Sequence, residues 1–253
     1  ELFHNFTLIH DDIMDAAPLR RGMQTVHEKF SESTALLTGD TMLVTAYEYL
    51  NKINISYLKR ITALFNKTAK EVCEGQQLDM DFEKKEMVGL DEYIRMIELK
   101  TSVLIAASLQ MGAILGGAGE GNCKHLYEFG RNLGIAFQIQ DDYLDAFGEP
   151  EKVGKEVGGD IRQNKKTFLL IHALKASDTE QRKKLQNLLQ QNAEDKVAQV
   201  LEIYHSCNAD VWAKELKQKY VAKALQHLDD IAVISIRKKP LAELTEFLIV
   251  REY

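Results

Sequence analysis

Two short segments concentrate acid in apolar surroundings. In TLIHDDIMDAAPLRRG, Asp11, Asp12 and Asp15 stand at i, i+1 and i+4, and FQIQDDYLDAFG repeats that spacing with Asp141, Asp142 and Asp145. On an α-helix, residues four apart lie over one another on one face. Each segment therefore crowds carboxylates, which repel and raise one another's pKa unless a cation sits among them. Six hard oxygen donors, with no cysteine or clustered histidine beside them, suit Mg²⁺, which takes a few carboxylates and fills its shell with water and phosphate oxygens. Arg20 and Arg21 follow the first cluster, and GKEVGGDIRQNKKT brings Lys155, Lys165 and Lys166 behind the second. Arginine forks and lysine point charges beside Mg²⁺ are what a diphosphate requires. One acidic triplet alone reads equally well as a solvated helix face. The recurrence, each time with basic residues after it, argues for a site.

The elements that must position these residues are helical. Apolar spacing near 3.6 recurs along the chain, as in Leu58, Ile61, Leu64, Phe65 and Val72 or Tyr93, Ile94 and Ile97. It predicts helices at 1–15, 33–53, 56–83, 90–116, 121–147, 164–175, 178–190, 194–207, 208–236 and 240–252, and no strand. Only three prolines occur, and none lies between Pro18 and Pro150, so nothing there breaks a long helix. No low-complexity linker divides the 253 residues, which read as a single all-α domain with a bundle-like core.

Bulk properties exclude several classes. A net charge of −6 gives a nucleic-acid partner no basic face. Cys73, Cys123 and Cys207 are isolated, which fits a reducing, cytoplasmic setting and neither a disulfide framework nor a zinc site. No stretch reads as the ~20 apolar residues of a transmembrane segment, and no signal peptide opens the chain. The first residues, ELFHNFTLIHDD, enter a helical pattern with no cap, so an upstream segment is expected.

With these motifs in hand the chain resembles the trans-isoprenyl diphosphate synthases of the polyprenyl synthetase family. The likeness rests on DDIMDAAPLRRG, GQQLD (Gly75 to Asp79), the pair Lys100–Thr101, FQIQDDYLD with Gln138 before it, and GKEVGGDIRQNKKT, in that order. It implies an isoprenoid-synthase-type helical bundle around a central cavity, acting as a homodimer. It also implies the reaction, a head-to-tail coupling of isopentenyl diphosphate to an allylic diphosphate through an allylic carbocation. By resemblance Asp11, Asp12, Asp15, Asp141, Asp142 and Asp145 hold a cluster of three Mg²⁺ ions, with Asp12 and Asp145 the weakest assignments. Arg20, Lys100, Lys155 and Lys165 hold the allylic diphosphate, and Arg21 reaches the isopentenyl diphosphate. Thr101 and Gln138 match the positions whose oxygen dipoles steady the carbocation, as neutral groups that do not trap it. The family's upstream Gly-Lys-Arg segment falls before this chain begins.

Product length, in the family, is set just ahead of the first motif. Phe6 stands five residues before Asp11 and Thr7 four before. That pattern resembles short-chain enzymes making geranylgeranyl diphosphate, with farnesyl diphosphate the alternative and plain helix packing the competing account of Phe6.

Other readings leave an aspartate cluster idle. His10-Asp11 as a metal phosphohydrolase pair needs further histidines, and the Glu-x-x-His matches ELFH and EIYH, which place His4 and His205 as in di-iron bundles, use neither cluster. A non-catalytic subunit of a heteromeric prenyltransferase is the alternative from another class, and a terpene cyclase is expected to carry a different second metal motif.

Overall fold

A computed structural model describes residues 1–148, 157–191 and 195–250. The chain packs as two compact units, Glu1–Leu64 and Phe65–Tyr253.

The first unit contains α1 (Leu2–Met14), a hairpin of β1 (Leu19–Arg20) and β2 (Met23–Gln24), the short α2 (Val26–Lys29) and α3 (Glu32–Leu50). The long α4 (Ile55–Lys84) begins here and contains the boundary. Phe3, Phe6 and His10 follow one another at helical spacing along α1. Phe6 lies 5.5 Å from Phe3 and 4.7 Å from the His10 ring. His10 Nε2 lies 3.1 Å from the Leu36 carbonyl and fastens α1 to α3. Ser31 caps α3 by accepting from the Thr34 N–H at 3.1 Å.

The hairpin corrects the expectation of no strand. Its two-residue turn is Arg21-Gly22, with φ at +53° and +75°, and a tight hairpin of this kind takes positive φ at both central positions. Pairs of residues are too short to show alternation, so nothing but the Arg-Gly dipeptide announced it.

The second unit holds the rest of α4, then α5 (Leu90–Ile97), a π-helical turn (Glu98–Ser102), α6 (Val103–Leu115) and α7 (Glu120–Phe147). After these come α8 (Gly159–Arg162), α9 (Phe168–Ala176), α10 (Thr179–Leu189), α11 (Lys196–Ser206), α12 (Ala209–Asp229) and α13 (Ser235–Val250). Its main core gathers Tyr93, Phe168, Leu169, Leu185, Val200 and Tyr204, all nearly inaccessible to solvent. A second cluster of Phe129, Leu133, Ala224, Leu228 and Ile231 joins α7 to α12.

Small residues determine how closely the site-bearing helices approach. A Cβ on Gly130 would lie 2.8 Å from the Ala106 Cα, and one on Gly134 2.7 Å from the Ser102 Cα. These glycines stand four apart on α7, and the same slowly drifting stripe continues through Gln138 and Asp142. The stripe is therefore pressed against the segment containing Thr101 and Ser102. On α4 the buried series Phe65, Thr68, Val72, Gly75 and Phe82 has the same 3/4 periodicity. A Cβ on Gly75 would sit 2.2 Å from the Lys100 backbone N. GQQLD thus contains the one residue type that allows α4 to touch the π turn.

Helix boundaries differ from the periodicity in three places. The helix expected at 164–175 begins only at Phe168, after a turn in which Asn164 has φ +56°, and an unexpected short helix, Gly159–Arg162, precedes it. The helix expected to run to 236 stops at Asp229, where the buried Ile231 plugs the α7–α12 cluster and takes the chain off the helical path. The last begins at Ser235, with Pro240 inside it. One continuous stretch, Leu90–Leu115, is long and apolar enough by length and composition to cross a bilayer, against expectation. Its glycine-mediated packing on α7 is also how a core helix of a bundle behaves. Cys73, Cys123 and Cys207 are all free thiols.

Candidate active site

In the first unit Asp11 and Asp12 lie in the last turn of α1 and Asp15 is its C-cap. No basic residue occupies that turn, although a helix C-terminus carries partial negative charge and disfavours acids. Asp12 is only 4% exposed. The hairpin supplies its partner: Arg20 donates from Nε to Asp12 Oδ1 at 2.8 Å, and Nη2 lies 2.7 Å from the same oxygen and 3.4 Å from Asp11 Oδ2. The hydrogen bond to Asp12 holds the Arg20 guanidinium above its ordinary pKa. The Thr25 hydroxyl donates to the Ala17 carbonyl at 2.7 Å and fixes the base of the hairpin to the end of α1. Arg21 is exposed at the tip, in a left-handed conformation that few non-glycine residues adopt.

Of the predicted chain-length residues, Phe6 is buried, and the Thr7 hydroxyl donates to the His4 carbonyl at 2.8 Å.

The second unit repeats the placement: Asp141, Asp142 and Asp145 fall in the final turns of α7, before its end at Phe147. The stripe containing Gln138 and Asp142 faces α5 and the π turn and makes a continuous chain of hydrogen bonds there. Thr101 Oγ1 donates to Gln138 Oε1 at 3.2 Å, Gln138 Nε2 donates to Asp142 Oδ1 at 2.9 Å, and the Tyr93 hydroxyl donates to Asp142 Oδ2 at 2.5 Å. Because Asp142 accepts, the Gln138 amide must turn its NH₂ that way and its oxygen toward Thr101. Tyr93 is itself fixed: its ring packs 5.8 Å from Phe168, and Glu92 beside it accepts from the Gly89 N–H at the start of α5.

Asp145 faces the next segment of chain. Its Oδ2 accepts from the Asp160 N–H at 3.0 Å, and its carbonyl accepts from the Gly158 N–H at 2.6 Å. Gly158, at φ +83°, turns the backbone into this approach. Lys165 Nζ lies 3.7 Å from Asp160 Oδ1. Burial, then the charge of Asp160, pushes Asp142 well above the usual carboxylate range, and burial with Asp145 does the same to Asp160.

Lys100 belongs to the π turn, an irregularity that often marks functional positions, and its Nζ lies 2.7 Å from Asp79 Oδ2. Asp79 therefore meets Lys100. One turn away on α4, Gln76 Nε2 is buried without a hydrogen-bond partner among the described residues. Lys155 lies outside the described residues.

Two groups of the site are not evident from the sequence. Tyr93 fits the apolar spacing of its helix, although a buried tyrosine needs a partner for its hydroxyl. Asp160 is the aspartate among the lysines of GKEVGGDIRQNKKT. His10 and His205, candidates in other readings, have packing roles: His10 bonds to α3, and His205 lies 5.1 Å from the Phe147 ring.

The donor set fits a hard divalent cation. Carboxylates gather where helix dipoles add negative potential, and Asp142 of α7 and Asp160 of α8 are raised in pKa by burial and by neighbouring carboxylates, a cost that a bound cation relieves.

Residues 1–206 match the model of the family described as polyprenyl synthetase. The chain is 40% identical over 257 residues to a geranylgeranyl diphosphate synthase of Methanosarcina mazei, covering 100% of this chain and 77% of that one. It is 37% identical over 254 residues to a short chain isoprenyl diphosphate synthase of Methanothermobacter thermautotrophicus, covering 100% of this chain and 78% of the other. Its fold superposes on the crystal structure of a geranylgeranyl pyrophosphate synthase with a TM-score of 0.93 at 42% identity, covering 100% of this chain and 79% of that one. The chain belongs to the polyprenyl synthetase family of trans-prenyltransferases.

Proposed function

We propose that this chain couples isopentenyl diphosphate head to tail to allylic diphosphates and releases geranylgeranyl diphosphate, with three Mg²⁺ ions held by its two aspartate clusters. The observation that carries the reading is the placement of both clusters at the C-terminal turns of their helices, with Arg20 paired to the first and Lys165 beside Asp160, the neighbour of the second. When bound, Mg²⁺ neutralises the charge that develops on the departing diphosphate.

The residues divide the work. Asp11, Asp15, Asp141 and Asp145 offer carboxylates to the metals, while Asp12 and Asp142 are engaged by Arg20 and by Tyr93 with Gln138 and hold the clusters in shape. Arg20, Lys100, Lys155 and Lys165 bind the allylic diphosphate, and Arg21, aimed outward by its turn, binds the isopentenyl diphosphate. The allylic carbon–oxygen bond breaks with its electron pair leaving on diphosphate. Thr101 and Gln138 present oxygen dipoles to the cation so formed. The alkene of isopentenyl diphosphate attacks that cation, and the proton lost in restoring a double bond passes to the released diphosphate. Phe6, with Thr7 beside it, limits growth of the hydrocarbon.

The family match across residues 1–206 supports reading 1–253 as one prenyltransferase domain. Exposed Leu36, Leu37, Val44 and Tyr49 on α3 support a homodimer, and the free cysteines support a cytoplasmic location.

The test is a Mg²⁺-dependent assay with labelled isopentenyl diphosphate and dimethylallyl, geranyl or farnesyl diphosphate as primer, products being resolved by chain length. A twenty-carbon product from every primer is expected. A stop at fifteen carbons makes the enzyme a farnesyl diphosphate synthase, and no product with any primer from the full-length protein, its upstream residues intact and Mg²⁺ bound, favours a regulatory subunit.

A further inference from the structure

Far along α7 from its aspartates, two imidazoles and a carboxylate converge. His125 lies in the second turn of α7, and sixteen residues of helix, roughly 24 Å, separate it from Asp141. His227 and Asp230, three apart at the end of α12, meet it. One ligating atom from each of the three lies within 4.8 Å of the others. The Nδ1 atoms of His125 and His227 are 3.2 Å apart, and Asp230 Oδ2 is 4.0 Å from His125 Nδ1.

We propose that His125, His227 and Asp230 form a second metal site, for a borderline dication of the Zn²⁺, Co²⁺ or Ni²⁺ class. The donor chemistry separates it from the aspartate clusters: imidazole nitrogen suits these ions and not Mg²⁺. The spacing agrees as well. Ligands about 2.0–2.1 Å from a tetrahedral zinc lie roughly 3.3–3.4 Å from one another, close to the separation of the two Nδ1 atoms. The Asp230 carboxylate, half exposed, needs a small side-chain rotation to close the set, and water completes the tetrahedron.

The scaffold is already in place. Phe129, Leu133, Ala224 and Leu228 lock α7 to α12 immediately below the histidines. Asn122 Oδ1 accepts from the Ala232 N–H at 2.9 Å and ties the chain just past Asp230 to the first turn of α7. His227 and Asp230 stand at a helix C-terminus, where a cation is favoured. The His125 side chain is 33% exposed and that of Asp230 50%, which gives an ion a way in. Without metal the two rings share one Nδ1–H···Nδ1 hydrogen bond. With metal the donating ring carries its proton on Nε2 and both Nδ1 lone pairs face the ion. The bound ion clamps the start of α7 to the end of α12.

The experiment uses the full chain, stripped with EDTA, dialysed and held in excess Mg²⁺ so that the oxygen clusters are occupied. Calorimetric titration with Zn²⁺ is expected to give one ion per chain, and Zn²⁺ is expected to raise the thermal midpoint. His125→Ala and His227→Ala each weaken that binding by about tenfold or more and abolish the thermal shift. His227→Asn, which keeps a polar side chain of similar reach, serves as the milder variant, and Mg²⁺-dependent turnover verifies the fold of each. Absence of a Zn²⁺ event in the wild type, or unchanged affinity and stoichiometry in folded histidine variants, overturns the proposal.

Discussion

Tyr93→Phe removes one hydroxyl and leaves the rest of the core as it was. The ring keeps its place against Phe168 at 5.8 Å, so no cavity opens. What is lost is the donor to Asp142 Oδ2, at a carboxylate that is only 6% exposed. A hydrogen bond to a buried charged group is worth ~1.5–3 kcal/mol, which sets the expected fall in stability. The same bond fixes Asp142, which fixes the Gln138 amide, which fixes Thr101. If that energy is also what aligns the two dipoles toward the cation, kcat falls by about 10- to 100-fold at ~1.4 kcal/mol per decade, with KM nearly unchanged. The Tyr93 bond lowers the Asp142 pKa against the effect of burial, so its loss moves the acid limb of the rate profile to higher pH. Urea unfolding and steady-state kinetics with Mg²⁺ measure both effects. A variant within ~0.5 kcal/mol of wild type, the ordinary range for an inconsequential change, and with kcat within about twofold, refutes the chain of contacts as the positioning device.

Gly75→Ala places a Cβ 2.2 Å from the Lys100 N and 2.6 Å from its Cα; backbone atoms cannot swing aside, so a loss of ~1–3 kcal/mol and a fall in kcat/KM through the displaced Lys100–Asp79 pair are expected, read by unfolding and kinetics together. Phe6→Ala lengthens the product beyond that of the wild type, and identical chromatograms would return Phe6 to a packing role. In EDTA, Asp142 keeps its proton in the folded protein after the unfolded chain has given it up near the ordinary value of ~3.9. The stabilisation present below that pH is lost as pH rises toward the folded pKa; Asp142→Asn flattens this part of the stability curve, and parallel curves would show that Asp142 does not titrate there.

What the sequence disclosed depended on how each residue acts. The aspartate triplets and the lysines and arginines behind them act through charge and spacing on single helices, and both survive in a one-dimensional string. Helices with sustained 3.6 periodicity were legible for the same reason. The hairpin was not, because two-residue strands have no periodicity and are defined by the positive φ of Arg21 and Gly22. Tyr93 was hidden because its function depends on a hydroxyl that meets Asp142 from a different helix, while its ring satisfies the apolar pattern. Gly75 was visible within GQQLD, but its use, the approach of α4 to Lys100, is a tertiary distance. The pairing of Asp79 with Lys100 was missed for the same reason.

The two aspartate clusters share a spacing, and among the described residues their buried carboxylates, Asp12 and Asp142, are held in different ways. On α1 a cation from the following hairpin is placed against the buried carboxylate, so Arg20 supplies compensating charge from within the protein. On α7 the buried carboxylate receives two neutral donors, Tyr93 and Gln138, and has Asp160 as an unfavourable neighbour, with Lys165 farther off beside Asp160. Neutral donors orient a carboxylate without cancelling its charge. Among the described residues, Asp12 is thus the buried carboxylate held by a cation and Asp142 the one held by neutral donors, whose hydrogen bonds lead on to Gln138 and Thr101. Identical motifs in a sequence therefore present their buried carboxylates to different partners. The difference follows from which residues the fold brings to Asp12 and to Asp142.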